Sequence, residues 1–231
     1  IVNGTKNWVT SGENSDLIIF FCKTEKGAGS KGISAFIIEK GTPGLTTGKK
    51  EEKLGIRASD TCELYFDNCE IPESNLIGNL GQGFSIAMQA LGGGRIGIAS
   101  QSVGLARAAL DKTISYAQER EQFGKIIAKF GAIQNKIADM ATNIEAARLL
   151  VMQAAILKDQ GKEYIKESSM AKLFASSTAM SAATECVQVH GGYGYMQEYG
   201  VERLMRDAKI TEIYEGTSEI QRLVISRELL K

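Results

Sequence analysis

Two kinds of periodicity divide the chain. In its first third, short apolar runs such as Leu17 to Cys22 and Ile33 to Ile38 are separated by turn-forming residues, among them Gly27, Gly29, Gly32 and Pro43. The clearest strand is Thr61 to Cys69. There Cys62, Leu64 and Phe66 alternate with Glu63, Tyr65 and Asp67, the period of a sheet with one buried face. Pro72 and the stretch from Gly78 to Gly83 interrupt this pattern, and a boundary is set near residue 80. Beyond it, apolar positions recur every three or four residues. One stripe runs through Ile96, Ala99, Val103, Ala106, Leu110, Ile114 and Ala117, and a second through Ile133, Ile137, Met140, Ile144, Ala147 and Val151. A third helix, over about 162–189, aligns Ile165, Ser169, Leu173, Ser176, Met180, Ala183 and Val187, a face small enough for close helix contact. A shorter helix is expected from Ser218 to the end. The expected class is α+β: a β-rich domain over 1–80, then an antiparallel four-helix bundle over 81–231.

Composition narrows the function more than the fold. With 231 residues, 43% of them hydrophobic, the chain can bury a substantial core. Lys+Arg and Asp+Glu balance at 27 each, so there is no net field to hold nucleic acid or an anionic membrane surface. Cys22, Cys62, Cys69 and Cys186 form no CxxC pair and there is one histidine, which offers no metal site and suggests free thiols in a reducing compartment. No apolar run approaches the roughly 20 residues of a membrane span, and no signal segment opens the chain, so a cytoplasmic or organellar location is expected. The opening at Ile1 runs straight into strand-like residues through Val9, which reads as the interior of a domain.

Three segments carry candidate chemistry. Gly92, Gly94 and Gly97 satisfy G-x-G-x-x-G, but the residues before them read as helix and no βαβ unit surrounds them, so close backbone approach is the better account than a dinucleotide site. Gln188, Gly191, Gly192 and Gly194 end the third helix. They serve either as a helix stop or as peptide N–H groups presented to a phosphate. His190, inside that cluster, has no acidic partner nearby in sequence and reads as a packed or solvent-facing residue rather than a catalytic one. Last, Tyr214-Glu215-Gly216-Thr217-Ser218-Glu219 is either a plain helix start, with Ser218 and Gln221 as a capping box, or a base beside a helix amino terminus. From the residues alone the choice stays open.

Taken together, Gln188-Val189-His190-Gly191-Gly192-Tyr193-Gly194-Tyr195 and the run from Arg206 through Glu215-Gly216-Thr217-Ser218-Glu219 to Arg222 closely resemble the carboxyl-terminal signature of acyl-CoA dehydrogenases. Arg120 to Gly124, Gly94 to Gly97 and Trp8 to Thr10 match further family segments in the same order. The resemblance implies part of the family's middle β-domain followed by its carboxyl-terminal helical bundle, in a homotetramer that binds FAD between subunits. Matching positions imply Trp8 and Thr10 beside the flavin ring. They imply Arg120 and Phe123 on the adenosine diphosphate part of a neighbouring subunit's flavin, with Gln188, Gly191 and Gly192 at its pyrophosphate. Thr217, Ser218 and Glu219 would contact FAD in their own subunit. Glu215 matches the catalytic base, with Tyr214 and Gly216 lining the thioester site and Arg95 close to that loop. The implied activity is oxidation of a short acyl-CoA to the trans-2-enoyl-CoA, or its reverse, with electrons exchanged with an electron-transferring flavoprotein. An acyl-CoA oxidase and a non-catalytic acyl-CoA-binding paralogue are the alternatives. Two positions depart from the pattern: Gly131 stands where many relatives carry a glutamine that contacts the adenosine, and Gly92 where short-chain relatives often carry an aspartate near the CoA nucleotide.

Overall fold

The computed structural model describes residues 1–231 and separates into two compact units, Ile1–Ala90 and Leu91–Lys231. In the first, β1 (Val2–Thr10), β5 (Thr61–Cys69) and β4 (Leu45–Thr47) form one antiparallel sheet in the order β1-β5-β4. A second sheet has the order β2-β3-β6, from β2 (Leu17–Lys23), β3 (Ile33–Glu39) and β6 (Leu76–Ile77). The alternation in the sequence sets which faces meet. Ile18, Phe20 and Ile38 from one sheet and Cys62, Leu64, Phe66 and Cys69 from the other share one buried cluster, with the Phe20 ring 5.0 Å from that of Phe66. The pairing of β1 with β5 slips between Lys6 and Val9, and Trp8 sits at that bulge with φ of 59°.

The second unit is helical. Its long helices are α1 (Gly83–Glu119), which starts in the first unit, α2 (Gly131–Asp159) and α3 (Ile165–His190). Their directions follow from shared contacts. Ala99 early in α1 packs with Val151 and Ala154 late in α2 and with Ala171 and Ala175 early in α3. Farther along α1, Ala106 and Leu110 meet Met140 and Ile144 of α2 and Ala179 to Cys186 of α3. Hence α2 runs antiparallel to both neighbours. Ten of these buried contact residues are alanines without exposed surface, including Ala99, Ala106, Ala147, Ala171 and Ala175, so the helices approach closely over small side chains.

Two expectations need correction. The bundle is not completed by a single short helix, because α4 (Val201–Thr211) precedes α5 (Ser218–Leu229). α4 buries Val201, Leu204, Ala208 and Thr211, one face of an otherwise charged segment, and Gly200 begins it in the left-handed conformation. α2 is also long and apolar enough, by length and composition alone, to cross a membrane, contrary to the expectation that no segment is. Its buried face packs within the bundle, and Glu145 and Arg148 pair on its outer side.

Candidate active site

The loop between α4 and α5 is built around two residues in the left-handed region, Glu215 at φ 55° and Gly216 at φ 90°. Glycine takes that conformation freely, whereas a glutamate is strained there and must be held. The loop is tied at both ends: Tyr214 N donates to Ile210 O at 3.0 Å, and Ser218 N to Glu212 O at 3.0 Å. Thr217, not Ser218, is the N-cap of α5, its hydroxyl accepting from Ile220 N at 3.4 Å. Gln221 therefore lies one position past the reciprocal place in a capping box. Its side chain turns inward instead, where Nε2 donates to Glu215 O at 3.1 Å and Gly216 O at 2.8 Å. Lys172 of α3 reaches the same Gly216 carbonyl at 2.8 Å.

The Glu215 carboxylate lies against α1. A Cβ built on Gly94 would stand 2.6 Å from Glu215 Oε2, so the absence of a side chain at 94 makes room for this carboxylate. Oε2 is buried without a hydrogen-bond partner. Burial pushes the Glu215 carboxyl above the usual carboxylate range, opposed first by Arg95 and then by Lys172. Arg95 is itself buried, with one guanidinium nitrogen donating to Ser169 Oγ at 3.2 Å and Nε without a partner. Burial lowers Lys172 to about 8, while Glu212 pulls it back up and Arg95 pushes it further down. Tyr214 donates its hydroxyl to Gln101 Oε1, and burial raises its pKa. A half-buried carboxylate with one unengaged oxygen, a raised proton affinity and two buried cations beside it is equipped to take a proton from a weak carbon acid.

A second cluster forms where α3 ends. Tyr116, Arg120, Gln122, Val189, Gly191 and Gly192 help to line a concavity of about 310 Å³. Gly191 closes α3 at φ 60°, its N–H donating to Gln188 O, and a Cβ on either Gly191 or Gly192 would meet no atom within 4 Å, so the space beside both α-carbons is open. The Arg120 guanidinium lies 5.2 Å from the Tyr193 ring centroid. Gln188 and Phe123 are exposed and outside this lining; Phe123 is 93% exposed with φ of 52°. His190 is buried, its ring 4.1 Å from Tyr116 and Nδ1 2.8 Å from Cys186 O, as expected of a packed histidine. Trp8 and Thr10 lie on β1, Trp8 74% exposed. Thr217, Ser218 and Glu219 open α5, so the structure joins them to Glu215 on one loop.

Of the residues converging on Glu215, the sequence reading did not single out Lys172, Ser169 as a partner of Arg95, or Gln101, and it gave Gln221 a capping-box role in place of its contacts to the Glu215 and Gly216 carbonyls. One signal was available. Lys172 follows Ser169 by three residues and precedes Ser176 by four, which puts a charge on the small-residue face of α3.

Residues 81–230 match the family "Acyl-CoA dehydrogenase, C-terminal domain" and residues 1–69 "Acyl-CoA dehydrogenase, middle domain". The chain belongs to the acyl-CoA dehydrogenase family. It is 56% identical over 230 residues to an acyl-CoA dehydrogenase of Bacillus subtilis, covering 100% of this chain and 61% of that protein. Butyryl-CoA dehydrogenase from Megasphaera elsdenii superposes with a TM-score of 0.98 at 51% identity, over 99% of this chain and 60% of that one. A chain in the structure of the electron transferring flavoprotein of Acidaminococcus fermentans also gives 0.98, at 53% identity over 99% of this chain and 60% of its own. The chain thus spans about 60% of the length of these relatives.

Proposed function

We propose that the protein oxidises short acyl-CoA thioesters to trans-2-enoyl-CoA with FAD, and that Glu215 is the base that removes the α-proton. One observation carries this reading: Glu215 Oε2 is buried, unengaged and unobstructed by any side chain at 94, on a loop held by Gln101 of α1, Lys172 of α3 and Gln221 of α5. The proton taken from the substrate ends on that oxygen. The thioester oxygen is polarised by the Glu215 backbone N–H, which lowers the acidity gap between substrate and base. Arg95, with its free Nε, supports negative charge in this pocket, and Tyr214 and Gly216 line it.

The residues present suit FAD. The open space over the Gly191 and Gly192 α-carbons, beside Arg120, suits the close approach of a pyrophosphate, and strongly exposed Trp8 and Phe123 offer ring faces for stacking. Trp8 and Thr10 are assigned to the flavin ring; Arg120, Phe123, Gln188, Gly191 and Gly192 to its adenosine diphosphate part; Thr217, Ser218 and Glu219 to the flavin of their own subunit. When bound, FAD supplies the acceptor for the β-hydride. Electron-transferring flavoprotein is the proposed redox partner, in keeping with the likeness to the Acidaminococcus structure. A homotetramer is the proposed assembly, which suits exposed Leu149, Met152 and Ile156 on α2 and Met170 and Phe174 on α3.

The test is anaerobic reduction of the flavin by butyryl-CoA in the full-length enzyme carrying Glu215→Gln. Flavin content and acyl-CoA binding are expected to persist while the reduction rate falls at least about a thousandfold, because the amide accepts no proton. A rate close to that of the unmodified enzyme would remove Glu215 from the chemistry.

A further inference from the structure

We propose that Lys172 and Gln221 form a clamp that positions the base: together they hold the carbonyls of Glu215 and Gly216, and Lys172 brings a buried positive charge to the carboxylate. This rests on the reading of Glu215 as the base.

Both side chains are fully buried, both are long and polar, and they come from different helices to the Gly216 carbonyl, Gln221 reaching the Glu215 carbonyl as well. The Gly216 carbonyl receives Lys172 Nζ and Gln221 Nε2 at 2.8 Å each, which saturates its two lone pairs. The Glu215 carbonyl receives Gln221 Nε2 at 3.1 Å. The peptides held in this way are the two in left-handed conformation, and a strained glutamate keeps such a conformation only where its surroundings over-determine it. Packing alone does not call for these residues. The positions around Lys172 on α3 are filled by Ser168, Ser169, Ala171, Ala175 and Ser176, and an apolar side chain would bury there without the cost of desolvating an ammonium.

The charges around the clamp are asymmetric. Glu215 faces Arg95 from α1 and Lys172 from α3, beside the Tyr214 hydroxyl, which is engaged by Gln101. Lys172 faces Arg95, Glu215, Glu212 on the loop after α4, and Glu219 at the start of α5. Arg95 has a second tie, to Ser169, whereas the hydrogen bond of Lys172 goes to the base loop itself. Lys172 is therefore a positioning residue that acts on the base both through the backbone and through its charge.

The test uses the full-length, flavin-loaded enzyme with two variants. Lys172→Met keeps the length of the side chain and removes donor and charge; Gln221→Met removes the second donor and leaves the charge. Lys172→Met is expected to slow flavin reduction by butyryl-CoA about a hundredfold, with KM and flavin content little changed, since a misplaced reacting group costs rate more than binding. Its acid limb in the rate against pH should move to higher pH, because the carboxylate has lost a cation and holds its proton more tightly. Gln221→Met should slow the reaction without moving that limb. In both variants the amides of 214–218 should exchange hydrogen faster, a readout that does not depend on turnover. Reduction at the unmodified rate in Lys172→Met, or slowing with unmoved limb and unchanged exchange, overturns the clamp. If Lys172→Met does not fold, the rate and exchange of Gln221→Met decide. A normal rate in Glu215→Gln would refute the base itself, whereas a dead Glu215→Gln beside a normal Lys172→Met refutes only the clamp.

Discussion

At the level of single residues, the fold works against the charge it needs. Burial raises the proton affinity of Glu215, so its folded pKa lies above the unfolded one. A group shifted in this direction contributes its full stability below the ordinary carboxylate range and loses it as pH rises through the raised value. Glu215→Gln should therefore melt at a higher temperature than the unmodified protein at pH 7, with the gap closing toward about pH 4. Calorimetry at the two pH values checks this. Lys172 has the opposite shift, from 10.5 to about 8, and the penalty of its buried charge is present below 8 and relieved as pH rises toward 10.5. The stability of Lys172→Met relative to the unmodified protein should accordingly fall across that window, as denaturant titrations at pH 7 and 10 would read. Gly94→Ala separates stability from rate. The new methyl would stand 2.6 Å from Glu215 Oε2, forcing the carboxylate aside at about 1–3 kcal/mol, while replacing a helical glycine returns about 1 kcal/mol. Stability should fall by about 0–2 kcal/mol, and flavin reduction should drop about tenfold or more. Glu215 was legible in the sequence as one of two readings of its run beside glycine, and the family resemblance singled it out as the candidate base. Lys172 was legible only as a charge on the small-residue face of α3; which groups meet that charge is decided once the neighbouring helices are in place.

At the level of elements, the site depends on how one helix begins. Thr217 caps α5 directly after the strained pair, so the cap that stabilises the helix also anchors the base loop. Thr217→Ala should cost about 1 kcal/mol and speed amide exchange in the first turn of α5, measurable by denaturation and exchange. The shared face of the long helices is set by small residues, and Ala183, without exposed surface, lies in the cluster joining α1 to α4. Ala183→Leu should cost about 1–3 kcal/mol through overpacking, seen as a lower denaturation midpoint. The long helices could be read from their stripes because each repeats its apolar face over many turns. α4 escaped that reading. Its buried Val201, Leu204, Ala208 and Thr211 recur at helical spacing, but over only 11 residues, too short a run to stand out beside the long stripes.

At the level of the whole molecule, surfaces that end in water here carry the proposed assembly and cofactor. Arg120→Ala in the full-length enzyme should lower flavin content and shift sedimentation toward smaller species together, because a guanidinium that pairs with phosphate across a subunit contact contributes to both. Loss of neither would refute the interfacial assignment. What the sequence by itself determined is the order and kind of the parts: alternation and turn residues marked a strand-rich first third, apolar stripes specified α1 to α3, and the run from Tyr214 to Glu219 marked a helix start and, through the family resemblance, the candidate base. Such signals are local, since they depend only on whether neighbouring positions face the same side. The tertiary structure decided which buried polar groups act on that base. Lys172 lies 44 residues from the carbonyl it holds, and Arg95 lies 74 from Ser169, so neither pairing has a signature in local spacing. A lysine or arginine becomes a partner of Glu215 only when helix packing removes water and leaves the carboxylate and backbone carbonyls as the groups able to meet its charge.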